Sequence, residues 1–199
     1  MNHRCVSAIV RTALAGACAA VALPGCGSAA PAAAGNLPTA RAQPVAPQSV
    51  APATCGLPDF RAKALARVNK VRAAGANCRS EGRFAPAGPL AWNDRLAQAA
   101  ALHSHDMSSH NFFSHNGHDG RSQKQRIDAA GYPWKSIGEN IEAGSRSVDE
   151  AVESWMASDH HCANIMDPVF TDLGLACVRG EPLDTYETYW TMELGKQRR

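Results

Sequence analysis

The stretch Leu173-Gly174-Leu175-Ala176-Cys177-Val178-Arg179, the break Gly180-Glu181-Pro182-Leu183-Asp184 and the run Thr185-Tyr186-Glu187-Thr188-Tyr189-Trp190-Thr191-Met192-Glu193-Leu194 decide the fold. Both runs alternate, and Tyr186, Trp190, Met192 and Leu194 share one parity, which predicts two strands joined as a β-hairpin across a turn-rich break. Ile137 to Ala143 is short enough to be a third strand. So small a sheet buries both faces only if helices cover each of them. The expectation is an α+β domain, a three-layer α-β-α sandwich with a small, mostly antiparallel sheet.

Helices are legible on either side of these strands. Pro58 to Ala74 sets Phe60, Ala64, Leu65, Val68 and Val71 at helical spacing, with Gly75 as a stop. Ser80 to Pro89, rich in Gly and Pro, reads as a loop. Asn93 can accept from the freed amides of Arg95 or Leu96 and so cap a second helix, whose apolar face carries Leu96, Ala99, Ala100, His103 and Met107. Ser122 to Ala130, closed by Gly131, is a short third helix. Ser147-Val148-Asp149-Glu150 is a capping box that opens a fourth, carrying Ala151, Val152, Trp155 and Met156.

Upstream the composition changes character. Residues 1–25 read as an export signal: Arg4 and Arg11 supply a positive start, and Thr12 to Leu23 is an apolar run too short to span a bilayer. Leu23-Pro24-Gly25-Cys26 places a cysteine where the apolar run ends, so Cys26 is the expected lipidation site; ordinary signal-peptidase cleavage near Ala29 or Ala30 is the rival. Residues 26–54 are nearly all small or Pro, with Arg41 as the only charge, and carry too little bulky apolar surface to offset the entropy of ordering them. They read as a tether reaching on the order of 90 Å at ~3.1 Å per residue if fully polyproline-like. Residues 55–199 then form one domain of ordinary size. A net charge of +2, with no dense Lys/Arg stripe interleaved with aromatics, gives nucleic-acid binding no support.

Chemistry-bearing residues fall in separated segments: Phe112-Phe113-Ser114-His115, Gly138-Glu139-Asn140-Ile141, Trp155-Met156-Ala157-Ser158 and His161-Cys162-Ala163-Asn164-Ile165-Met166. With Tyr189-Trp190-Thr191 near the end, this order resembles the CAP superfamily (cysteine-rich secretory protein, antigen 5, pathogenesis-related 1) in its bacterial form, over about residues 60 to 195. The resemblance implies the same α-β-α sandwich. It also implies a pocket in which His115, Glu139 and His161 converge and bind a lipid, glycan or peptide ligand. The family's second glutamate, three residues after the tryptophan, is replaced by Ser158, and the adjacent Asp159 is rotated about 100° on a helix. His160 stands where glycine is usual and could shadow His161.

Two neutral imidazoles and a carboxylate would make a three-ligand open site suited to zinc or another divalent cation, with His115 and His161 as its nitrogen donors. Glu139 would then be a general base, or metal-bound water a nucleophile, in the alternative reading as a metal-dependent hydrolase of peptide or cell-wall bonds. The bland readings are an exposed loop histidine at 115, a strand-tying carboxylate at 139, and core roles for Phe112 and Phe113. His103 reads as a satisfied core histidine, and His105 and His110 as solvent-facing. His118 and Asp119 sit in a Gly-flanked loop too weak to read as a cation site. No Gly-x-Ser-x-Gly, His-Glu-x-x-His or phosphate-cradling loop occurs.

Of seven cysteines, Cys5 and Cys18 leave with the signal and Cys26 is the lipid site, so Cys55, Cys78, Cys162 and Cys177 remain. None falls in a Cys-x-x-Cys pair, and an exported chain favours disulfides, in three alternative connectivities. The two sequence-local pairs, Cys55–Cys78 and Cys162–Cys177, are expected. The whole then reads as an exported cell-envelope lipoprotein, held to the membrane by its lipid anchor, with secreted or periplasmic localisation as the alternative.

Overall fold

The computed structural model describes residues 53–198. The signal at 1–25, Cys26 and all but the last two residues of the tether lie outside the described residues. Within them the order is α1 (Phe60–Ala74), β1 (Ala76–Asn77), a 3-10 turn (Arg79–Glu81), β2 (Arg83–Phe84), β3 (Ala91–Trp92), α2 (Asp94–Ser109), α3 (Gln123–Ala129), β4 (Trp134–Ala143), α4 (Val148–Ala157), α5 (Asp159–Met166), β5 (Asp172–Arg179) and β6 (Thr188–Gln197). The main sheet runs β3-β5-β6-β4, with β3 parallel to β5 and the other pairs antiparallel. β1 and β2 form a separate two-stranded ladder.

Helices cover both faces of the sheet, and the two strand parities decide which side chain meets which layer. Leu173, Leu175, Trp190, Met192 and Leu194 join α1, α4 and α5 in the largest apolar cluster, with Trp155 fully buried at its centre. On the other face α2 lies across β5 and β6 so closely that a Cβ on Gly174 would stand 2.1 Å from the Ala97 amide nitrogen. Glycine at 174 is therefore what lets the helix seat. The chain is an α-β-α sandwich.

Because both faces are covered, Thr188 to Gly195 are all buried, and the expected alternation of burial along β6 is absent. Tyr186 is a correction: it lies before the strand and is 37% exposed, because the preceding loop is held by Asn111, whose Oδ1 accepts from the Thr185 amide (2.9 Å) and Tyr189 Oη (3.1 Å).

Asn93 caps α2 as expected, accepting from Arg95 N and Leu96 N at 3.0 and 3.3 Å. The reciprocal capping box is found at Ser122 and Gln125. At Ser147 only half of it forms: the hydroxyl accepts from Glu150 N, but the Glu150 carboxylate accepts from Arg146 N, one residue too early. α5 is a separate helix that the sequence reading does not isolate; Ser158, in extended conformation, ends α4 and starts α5 at once.

The disulfides are Cys55–Cys177 and Cys78–Cys162, with Cα separations of 5.2 and 5.5 Å, so both expected pairings are overturned. Cys55 and Cys78 flank α1, whose 15 residues at ~1.5 Å each hold its ends about 22 Å apart, far beyond disulfide reach. Instead residues 53–55 run beside β5, where Cys55 N donates to Cys177 O and Cys177 N to Ala53 O. The 3-10 turn after Cys78 docks on α5 through Ser80, which donates to Asp159. Arg72, also missed, is buried in α1 and donates to the carbonyls of Gly88, Ile165, Asp167 and Phe170, tying three segments to the helix.

Candidate functional site

Glu139 sits in the middle of β4 with its side chain directed under α2 and α3, where it is 6% exposed. A carboxylate so buried needs partners, and three converge on it. His115, in the loop after α2, donates from Nδ1 to Oε1 at 2.7 Å. Arg126 of α3, 5% exposed, donates from Nη2 to Oε2 at 2.5 Å. Directly across the ladder on β6 stands Glu193, fully buried and hydrogen-bonded to Glu139.

Two buried carboxyls therefore stand beside a single guanidinium that bonds only Glu139, and a carboxyl–carboxylate bond requires a proton on one of them. Burial and then the charge of Glu139 push Glu193 well above the usual carboxyl range, so Glu193 carries the proton. Its Oε2 accepts from Gln123 Nε2 at 2.8 Å. Burial also pushes Glu139 upward, but the bonds from His115 and Glu193 and the charge of Arg126 outweigh it and hold Glu139 below its ordinary value. Arg126 Nη1 further donates to the carbonyls of His115 and Arg121, at 3.0 Å each, and so fixes the loop that presents the imidazole.

With Nδ1–H given to Glu139, the neutral His115 ring keeps its lone pair on Nε2, and the side chain is 55% exposed. The dyad is a surface imidazole aimed by a buried carboxylate. His161, in the first turn of α5, is half-buried, and its ring makes no hydrogen bond to a described residue. Burial, then electrostatic interaction with His115 and His160, lowers its pKa, so its titration is coupled to His115. Its backbone is latched to β4: Asn140 Nδ2 donates to His161 O (3.0 Å), and Asn164 Nδ2 donates to Glu139 O and Asn140 Oδ1. Asn140 thus bonds the His161 backbone and the Asn164 side chain.

His160 does not shadow His161, since its Nδ1 pairs with Glu81 at 2.9 Å. Asp159 does not replace the missing glutamate; its Oδ2 is held by the Ser80 hydroxyl and amide. The second carboxylate near the dyad is Glu193, from a different element and behind Glu139. Sequence reasoning missed both Glu193 and Arg126, whose only signal is a charge on a strand or helix position that two-sided packing buries.

As placed, these residues do not assemble the three-ligand cation site. Glu139 has one oxygen on His115 and the other on Arg126, and among the described residues no group of three His, Cys, Asp or Glu side chains could hold an ion. His103 is buried but only half satisfied, with Nε2 donating to Ser114 O and Nδ1 unpartnered. His105 and His110 are exposed as expected. Phe113 is a correction: it is 44% exposed, its ring 5.8 Å from Tyr186, while Phe112 packs partly buried beside Met107, Ile141 and Tyr189.

The uncharacterized protein YkwD of Bacillus subtilis (strain 168) is 32% identical over 99 residues, 50% of this chain and 38% of that protein. The uncharacterized membrane protein YlbC of the same organism is 32% identical over 90 residues, 45% of this chain and 26% of that one. The chain thus spans well under half the length of the curated relatives it matches. Among solved structures, an extracellular protein containing a SCP domain from Bacillus anthracis str. Ames is similar at 28% identity and a TM-score of 0.50, covering 56% of this chain and 35% of that one. An outer surface protein from Borrelia burgdorferi is similar in fold, at 16% identity, a TM-score of 0.50, and coverage of 56% and 80%. The model of the CAP, or cysteine-rich secretory protein, family matches residues 65–194, well over half of the sequence. The chain belongs to the cysteine-rich secretory protein (CAP) family.

Proposed function

We propose that this is an exported envelope protein whose CAP domain binds a hydroxyl- or amide-bearing ligand, a glycan or a peptide, at the surface around His115 and His161. The observation that carries the reading is the 2.7 Å bond from His115 Nδ1 to Glu139, which leaves Nε2 as an oriented acceptor at the surface. A ligand O–H or N–H can donate to it, and exposed Phe113, two residues before His115 with its ring 5.8 Å from Tyr186, offers apolar surface in the same loop. A lipid could use the same rings but has a donor only in its headgroup, so it ranks behind. Glu139 acts as a positioning residue with no direct ligand contact. For the hydrolase alternative, neither candidate second acid is free to act beside His115, because Glu193 is fully buried and Asp159 is committed to Ser80.

The export signal, the acylated Cys26 and the tether up to residue 54 belong to the same proposal. The extracellular and outer-surface relatives support it, and no helix of the described residues is long and apolar enough to cross a membrane. Mass spectrometry of the mature N-terminus tests the anchor: a diacylated or triacylated Cys26 is expected, and a free terminus beyond it sinks this part. The binding site is tested by titrating labelled protein with soluble cell-wall muropeptides and following the imidazole resonances. His115 and His161 should shift together, and His115→Ala should weaken binding about tenfold, the loss of one good hydrogen bond to a positioned group. Shifts confined to other histidines would refute the site.

A further inference from the structure

The described domain is slightly acidic, although the whole chain carries +2. Arg4, Arg11, Arg41 and Arg199 lie outside residues 53–198, but none of the eighteen Asp and Glu does, so the domain's formal charge is −2 with His neutral. Against that background one corner is cationic. Lys135 at the start of β4 and Lys196, Gln197 and Arg198 at the end of β6 line an open recess of about 590 Å³. The corner is assembled from segments about sixty residues apart in sequence, which is why no basic stripe is legible in the chain.

No carboxylate among the described residues is within ion-pair distance of Lys135, Lys196 or Arg198. The nearby Asp128 is taken by Lys124 Nζ at 2.6 Å and by Trp134 Nε1 at 2.7 Å. Lys124 and Arg198 lie over the Trp134 ring, at 5.2 and 5.8 Å from its centroid, so the aromatic face is occupied and Arg198 is held in place. A β-bulge between Trp134 and Ser136 sets Lys135 out of the regular ladder.

We propose that Lys135, Lys196 and Arg198 form a docking site for a polyanion bearing closely spaced phosphates. Three cations without an ion-pair partner exceed the charge that a single phosphate brings, whereas a phosphodiester chain can engage all of them. Arg198 offers paired N–H donors that match phosphate oxygens, and the lysines supply point charges. Base recognition is disfavoured because Lys124 and Arg198 already lie over the Trp134 ring on which a base would stack. A bilayer is disfavoured as well, since surface insertion needs apolar side chains and none of the large exposed ones lines the recess. The chain also enters the domain at the opposite end of the sheet: Thr54 pairs beside Cys177, while the corner lies past the Asp172–Gly195 pair, roughly 17 Å away along β5 at ~3.4 Å per residue. The site is independent of the His115 reading.

The test is fluorescence anisotropy of end-labelled inorganic polyphosphate with the full chain. Three phosphate contacts predict about a 20-fold loss of affinity between 50 and 200 mM salt, by the counterion slope for a single-stranded polyanion. The variant K135Q/K196Q/R198Q should weaken binding at least about tenfold, while K63Q/K70Q/R83Q, which removes the same charge from exposed positions elsewhere, should stay within about twofold. All six substitutions are at surface positions, and far-UV circular dichroism checks that both variants keep the fold. Equal losses in the two variants, no binding by the wild type, equal affinity for polygalacturonate, or preference for vesicles of phosphatidylglycerol and phosphatidylcholine would each overturn the proposal.

Discussion

The two faces of the sheet share strands and differ in what they do. Trp190, Met192 and Leu194 point to the layer of α1, α4 and α5, where nearly every buried contact is apolar. The residues that alternate with them, Tyr189, Thr191 and Glu193, point to α2 and α3, together with Glu139 of β4. There Ser104 donates to Thr191, Arg126 donates to Glu139, and two carboxyls share a proton. The same β6 thus provides cohesion on one side and a charged, directional network on the other. A buried polar network is costly unless every member is satisfied, and three buried polar atoms in this layer, His103 Nδ1, Arg126 Nε and Glu193 Oε1, find no neighbouring donor or acceptor apart from the shared proton. The first face explains why the domain folds. The second, less economical for folding, explains why one surface imidazole is aimed.

The contrast predicts unequal mutational responses. Trp155→Ala, on the apolar face, removes a fully buried ring and its bond to Ile141 O, and should cost about 3–5 kcal/mol in urea denaturation. A loss under about 1 kcal/mol would mean that the apolar face is not what holds the domain together. Arg126→Met, on the polar face, strips Glu139 of its counter-ion. The expected cost is about 3 kcal/mol, at the lower end for a broken buried pair because Glu139 can escape by taking a proton. Its size should grow with pH, and a pH-independent loss would contradict the pairing.

Glu193→Gln sharpens the comparison with a smaller effect. Glu193 has a raised pKa in the fold, so its contribution is whole below the unfolded carboxyl value of about 4.3 and is lost as pH rises through the raised value. Glu139 has a lowered one, so its contribution is present above about 4.3 and is lost as pH falls through the lowered value. The wild type should lose stability in both directions. Glu193→Gln keeps the shape and a donor, so near neutrality it should shift stability by no more than about 1 kcal/mol, abolish the loss on the alkaline side and retain the acid loss. Urea midpoints measured across pH check this, and an unchanged alkaline limb would place the proton elsewhere.

The same contrast explains what the sequence reveals. Asn93, Gly131 and the hairpin are legible because capping, helix termination and strand alternation are local. His115 and Glu139 are legible through motif order, and the structure places their side chains in contact. Glu193 and Arg126 are not, because a charge inside an alternating run reads as solvent-facing until both faces of the sheet are known to be covered. The disulfides fail for a related reason: proximity along the chain misleads when a 15-residue helix separates Cys55 from Cys78. Phe113 reads as core beside Phe112, yet only Phe112 reaches the cluster around Met107.

The claim on which the site rests is that buried Glu139 fixes the direction of exposed His115, and the tautomer of that ring tests it most directly. With the ring in its neutral form, nitrogen-15 shifts should show His115 with its proton on Nδ1 and a bare Nε2. Glu139→Gln should return the ring to a mixture of tautomers. A wild-type His115 that is protonated on Nε2, or already mixed, would contradict the account.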